Sequence, residues 1–122
     1  MLTTVATHQV TLWMAGDLAT VHRVIREFCY VEGACFTVTP SKFIYTGGEE
    51  DGFAIGLVNY PRFPSTPEAL WELAEALARK LLPACNQRTC LLVGAAETKW
   101  IIVDPPGAQK TCSVAASESA HA

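Results

Sequence analysis

The stretch that decides the fold is Cys35-Phe-Thr-Val-Thr-Pro-Ser-Lys-Phe-Ile-Tyr-Thr-Gly-Gly-Glu-Glu-Asp-Gly-Phe-Ala-Ile-Gly-Leu-Val-Asn-Tyr60. Its centre, Thr46-Gly-Gly-Glu-Glu-Asp-Gly52, has the composition of a loop, because glycine takes positive φ at no steric cost. Before the loop, Cys35 to Val38 and Phe43 to Tyr45 read as strand, interrupted by Thr39-Pro-Ser-Lys42. Proline cannot donate to a ladder, so that stretch belongs to an edge strand or a bulge. After the loop, Phe53 to Tyr60 reads as strand. Residues 35–60 thus predict a hairpin with an acidic tip, its turn longer than the tight two-residue kind. Strands joined by a hairpin argue against a doubly wound parallel sheet, which needs a crossover at that point.

Upstream, Val10, Leu12 and Met14 alternate with Thr11 and Trp13, the period of a half-buried strand over 8–14. Asp17 can cap a following helix, along which Leu18, Val21, Ile25 and Phe28 form one apolar stripe. His22, Arg23, Arg26 and Glu27 take the polar face, and Gly33 suits the left-handed end of that helix. Downstream, Pro61-Arg-Phe-Pro64 is stiff, and a second helix opens either on a Ser65–Glu68 capping box or on Thr66 followed by Pro67. Leu70, Leu73, Leu77 and Leu81 give its stripe, and Pro83 is expected to end it. Thr89 to Val93 and Trp100 to Val103 are two further strands. The order β-α-β-β-α-β with a short extra C-terminal strand predicts an α+β, ferredoxin-like plait, an antiparallel sheet with two helices on one face. Residues 8–103 make one domain, and 104–122, opening on Pro-Pro-Gly and then rich in Ala and Ser, read as a flexible tail.

Composition narrows the function classes. The chain has 122 residues, 50% hydrophobic and 17% charged, with 9 Lys+Arg against 12 Asp+Glu and a mean hydropathy of +0.22. That is too apolar for a disordered chain, and no run is long enough to span a membrane. A formal charge of −3 argues against nucleic acid as partner, since phosphate binding needs a basic face. The N-terminus lacks a basic segment followed by an apolar one, so a cytoplasmic setting is expected, with five reduced cysteines.

The topology sorts the chemistry-bearing residues. Cys29 and Cys35, with Cys85 and Cys90, resemble two halves of a zinc site. Each pair spans a helix C-terminus and the next strand, and the helices are antiparallel, so the pairs fall at opposite ends; no metal is expected. Neither His8 nor His22 is placed beside a cysteine, which leaves no nucleophile–base pair. The glycines around 47–52 lack the Lys-Ser/Thr and the helix of a phosphate loop, and no cofactor is read. Glu49, Glu50 and Asp51, with Arg88 in the neighbouring turn, form the candidate site for a small ligand or a divalent cation. Asn59 to Pro64 is the candidate recognition loop, because loops on a rigid scaffold carry recognition and Arg and aromatic residues dominate interfaces. Tyr60, Arg62 and Phe63 of that loop, with Trp13 of the uncovered sheet face, are the candidate partner-binding residues. The sequence also lacks the motifs of the RNA-binding, copper-chaperone and acylphosphatase-like users of this fold.

The run Phe43 to Gly52, with Gly56 to Ser65 and Trp71-Glu-Leu-Ala-Glu75, resembles a family of small uncharacterised proteins of tailed bacteriophages and prophages, over about residues 8–103. The resemblance implies a bacterial host cytoplasm and carries no catalytic residues. The expectation is a non-enzymatic accessory protein that binds a protein partner and modulates host defence or host machinery, its uncovered sheet face buried in a homodimer or by that partner. The alternative is a small-ligand- or metal-binding domain, or an enzyme, using the acidic tip or the Tyr60–Phe63 loop.

Overall fold

A computed structural model of the chain describes residues 1–103; the tail expected over 104–122, with Cys112 and His121, lies outside the described residues. The elements are β1 (Gln9–Ala15), α1 (Leu18–Glu32), β2 (Thr37–Tyr45), β3 (Gly48–Val58), α2 (Pro67–Ala84), β4 (Thr89–Val93) and β5 (Thr98–Ile102). They form one five-stranded sheet in the order β2-β3-β1-β4-β5, and its strand pairings are all antiparallel. This is the expected plait, extended by β5 at one edge.

The alternation of the strands decides which side the helices cover. Val10, Leu12 and Met14 of β1, Phe53, Ile55 and Leu57 of β3, and Cys90 and Leu92 of β4 are buried on one face. Against them pack Val21, Val24, Ile25 and Phe28 of α1 and Leu70, Ala74, Leu77, Ala78, Leu81 and Leu82 of α2. A large apolar side chain contributes about 1.5–3 kcal/mol on full burial. No polar or charged side chain is buried among the described residues.

The caps follow local chemistry. Asp17 accepts from the Thr20 amide and hydroxyl, and Gly33, at φ 69°, ends α1 in the left-handed region. Of the two ways to open α2, the structure uses Thr66, whose Oγ1 accepts from Ala69 N at 3.0 Å, with Pro67 first in the helix. Pro83 does not end α2 but sits in its last turn, after which Cys85 N donates to the Leu81 carbonyl at 2.9 Å.

The hairpin differs most from expectation. β2 runs unbroken through Pro40, tolerated because β2 is the edge strand. The turn is the two residues Thr46 and Gly47, with Gly47 at φ 87° and Tyr45 paired to Gly48. Glu49, Glu50 and Asp51 therefore lie in the ladder of β3, not in a loop. β1 stops opposite Gly52, while β2 and β3 pair on through Lys42–Asp51, Phe43–Glu50, Ile44–Glu49 and Tyr45–Gly48. These four rungs form a two-stranded ribbon projecting roughly 14 Å beyond the sheet.

Candidate functional site

Putting three consecutive carboxylates into a strand sorts them by face. Glu49 and Asp51 share the side of Phe53 and Ile55, and so does Lys42 across the ladder. The Lys42 ammonium reaches Asp51 Oδ1 at 3.0 Å and Glu49 Oε2 at 3.7 Å. Both pairs are exposed and contribute little stability, yet they neutralise half of that charge locally. Glu50 points to the other side, the face no helix covers, and among the described residues it has no ion-pair partner.

Glu50 is flanked by aromatic rings. Phe43 is its direct partner across the ladder, and Tyr45 pairs with Gly48 on the same face. The Tyr45 ring leans over Gly48, where an added Cβ would stand 2.9 Å from its Cε1. The Phe43 ring leans over Gly52, where a Cβ would collide with the ring and lie 2.6 Å from the Met14 carbonyl oxygen. Glycine on both sides of Glu50 is thus what lets the two rings lie down on β3. Tyr45 is 55% exposed, so its ring is open to a ligand. The same face continues across the sheet without charge through Trp13, Ala54, Val58, Leu91, Trp100 and Ile102.

Arg88, expected beside the acidic tip, does not supply its cation. Lys42 does, while Arg88 Nε donates to the Val103 carbonyl at 3.5 Å. Arg88 precedes β4 at the sheet's end, whereas Lys42 is directly opposite Asp51 and two rungs from Glu49. Lys42, Phe43 and Tyr45 are site residues that a long-loop reading of 46–52 hides, because it leaves the register open. The signal is present in Tyr45-Thr-Gly-Gly48, where a tight turn pairs residue 45 with residue 48.

The four expected partner-binding residues do not form one patch. Trp13 sits near the ribbon end of β1, opposite Ala54, and Tyr60 follows β3 six residues further on, roughly 20 Å away. At that far end Tyr60 and Phe63 stack with centroids 5.3 Å apart, and the Cys35 thiol donates to the Tyr60 hydroxyl at 3.4 Å. The hub there is Asn59. Its Nδ2 donates to the Ala6 carbonyl at 2.8 Å, its Oδ1 accepts from Ser65 N at 2.8 Å, and its backbone N–H donates to the His8 carbonyl at 3.1 Å. His8 Nε2 lies 2.7 Å from the Ser65 carbonyl, which only accepts, so Nε2 carries the hydrogen. Arg62 and Phe63 are exposed outside this clasp.

Three of the cysteines, Cys29, Cys85 and Cys90, have raised thiols. Burial pushes the Cys90 thiol up to about 11. Burial also raises Cys85, and burial first, then the charge of the neighbouring Cys35, raises Cys29. Raised thiols stay protonated at neutral pH and react slowly. Cys29 and Cys35 lie at the far end, and Cys85 packs toward Gly16 at the ribbon end, so the pairs are separated as the topology requires. Among the described residues, shallow hollows beside the helices include one of about 250 Å³ at Val24, Phe28 and Lys80 and one of about 200 Å³ at His8, Trp71 and Glu97. Neither sets a carboxylate between two aromatic rings as the ribbon does.

Fold and site together define an α+β plait carrying a carboxylate between two aromatic rings on its uncovered face. Neither a protein-family model nor a curated protein sequence matches the chain. Two solved structures of a phage SAM lyase are similar to it. The apo form superposes with a TM-score of 0.67 at 12% identity, over 80% of this chain and 90% of that one. The complex with S-methyl-5′-thioadenosine gives 0.66 at 10% identity, over 84% and 95%. The likeness establishes the shared fold. It also corrects the expectation of a non-enzymatic, protein-binding accessory factor: the similar solved structures are those of an enzyme with a nucleoside ligand, so the small-ligand or enzyme alternative is the better supported one. The physical reason for the difference is that an open sheet face reads the same from sequence whether a protein or a small molecule covers it. No helix among the described residues is long and apolar enough to cross a membrane.

Proposed function

We propose that this chain is an enzyme acting on S-adenosylmethionine, a lyase with S-methyl-5′-thioadenosine as one product, and that the open side of the β2–β3 ribbon holds the sulfonium end of the substrate. The observation that carries the reading is the likeness to the SAM lyase over 80% of this chain and 90% of the other. The local chemistry agrees with it. S-adenosylmethionine presents a positively charged sulfur, which is attracted to a carboxylate and to aromatic faces. Glu50 offers the carboxylate, and Tyr45 and Phe43 offer the faces.

The thioadenosine product retains the sulfur and its methyl group, so the bond that breaks joins sulfur to the aminobutyrate carbon. Its electron pair stays on sulfur, which becomes a neutral thioether. A lyase adds no water, and the substrate's own carboxylate oxygen closes on that carbon to give a five-membered lactone. No protein proton is needed for this step. The protein's part is to hold the substrate folded, so that oxygen and carbon stay in contact. Glu50 faces a charge that disappears in the reaction, so it favours the bound substrate over the transition state; Glu50→Gln should raise KM more than it lowers kcat.

Incubating the full chain with S-adenosylmethionine and following the nucleoside products by mass-resolved chromatography tests the reading. S-methyl-5′-thioadenosine with a lactone fragment is expected, at a rate proportional to protein. Substrate that decays no faster than in buffer would overturn it.

A further inference from the structure

The ribbon has a property that goes beyond the cleavage reaction, although its biological use rests on that reading. Three observations converge on the open side of β3. Glu50 is the one carboxylate of three that Lys42 does not engage. Its neighbours along the strand on that face are Gly48 and Gly52, so no side chain of β3 crowds it. The bare positions are instead overlaid by the Tyr45 and Phe43 rings. Alternate residues on one face are roughly 7 Å apart, enough for a methylated cation to stand over Glu50 with a ring on either side. Sorting by face is essential here: on the other side Lys42 would repel the same cation.

We infer that this ribbon face is a binding site for onium cations as a class, methylated sulfonium or quaternary ammonium, and that it discriminates by charge rather than by the nucleoside. Such cations are weakly hydrated and cannot donate hydrogen bonds, so an aromatic face and one carboxylate are the partners they take. The neutral thioether that remains after cleavage keeps the shape of the nucleoside but no longer carries the charge. Substrate is therefore held and product let go by the same residues, with no moving part required.

The test uses the full chain and two ligands of one shape, choline and 3,3-dimethylbutan-1-ol, which differ in a charged nitrogen against a neutral carbon. Amide and ring resonances of Gly48, Gly52, Tyr45 and Phe43 are followed by NMR through each titration. Choline and trimethylsulfonium should shift them saturably and the neutral alcohol should not. Glu50→Gln should weaken choline about tenfold, the scale expected for removing one charge–charge attraction, while Glu49→Gln, on the Lys42 side, should leave it unchanged. S-methyl-5′-thioadenosine should bind about tenfold more weakly than S-adenosylmethionine. Equal shifts from the neutral alcohol, or equal weakening in the two glutamine variants, would overturn the inference. The two readings fail separately: choline binding without cleavage of S-adenosylmethionine leaves the onium site standing and removes the lyase, and cleavage without choline discrimination does the reverse.

Discussion

The two ends of the sheet are built on opposite principles. At the far end, Asn59 ties together the N-terminal segment, the end of β3 and the entry to α2 with hydrogen bonds of 2.8–3.1 Å. Polar groups there are used to hold the chain. At the ribbon end, two strands continue past β1 with exposed charges and rings. A two-stranded ribbon gains little from its own pairing, so its base must be anchored. Gly16 N donates to the Asp51 carbonyl at 3.2 Å, and the Phe43 ring packs on Gly52 beside Met14. The contrast lies in the polar groups: those of the far end are satisfied by the fold, whereas Glu50 has no ion-pair partner among the described residues.

Substitutions can break this contrast, and the largest effect is expected at the ribbon's anchor. Gly52→Val forces a side chain into the Phe43 ring and the Met14 carbonyl, so it should cost about 3 kcal/mol in denaturant unfolding. An unchanged midpoint would mean the ribbon is not pinned there. At the far end, Asn59→Ala leaves the part-buried Ser65 amide without its acceptor and should cost about 2 kcal/mol. S-adenosylmethionine turnover at low temperature should survive that change, and its disappearance would place the site at the wrong end. Acidification sharpens the ribbon side. The Thr20 amide and hydroxyl hold the Asp17 carboxyl below its ordinary value. A depressed folded value means the stabilisation is present above the unfolded pKa of about 3.9 and fades as pH falls through the lower folded one. Asp17→Asn should therefore lower the melting temperature at pH 7, by an amount that shrinks as the pH falls below about 3.9, and a drop that does not shrink would refute that origin. The smallest stability change is expected at the site: Glu50→Gln should move unfolding by less than about 0.5 kcal/mol while raising KM. A large destabilisation would make Glu50 a structural group.

Much of the plait is legible in local pattern. The strand of alternating Val10, Leu12 and Met14, the Asp17 cap and the leucine stripe of α2 each arise from interactions within a few residues, and each appears where periodicity puts it. Pro83 departs from its expected role: the helix runs one residue past it, with Leu81 and Leu82 beside it buried in the core. The hairpin departs as well. Thr46-Gly-Gly-Glu-Glu-Asp-Gly52 is polar and glycine-rich, which resembles a loop, yet a tight turn at Thr46 and Gly47 draws the acidic residues into the ladder.

Sequence alone determined the element types, their order and hence the end of the molecule at which each candidate lies, because helix and strand periods are local and antiparallel connection is geometric. It also determined that three consecutive carboxylates lie near the end of the hairpin. Only the tertiary structure decided which carboxylate faces the open side and which two meet Lys42. Face in a strand depends on register, register on the turn, and a one-residue slip would exchange Glu50 with its neighbours. Pairing Lys42 with Glu49 and Asp51, and laying two rings over the glycines around Glu50, requires residues from both strands at once. No single segment carries that information.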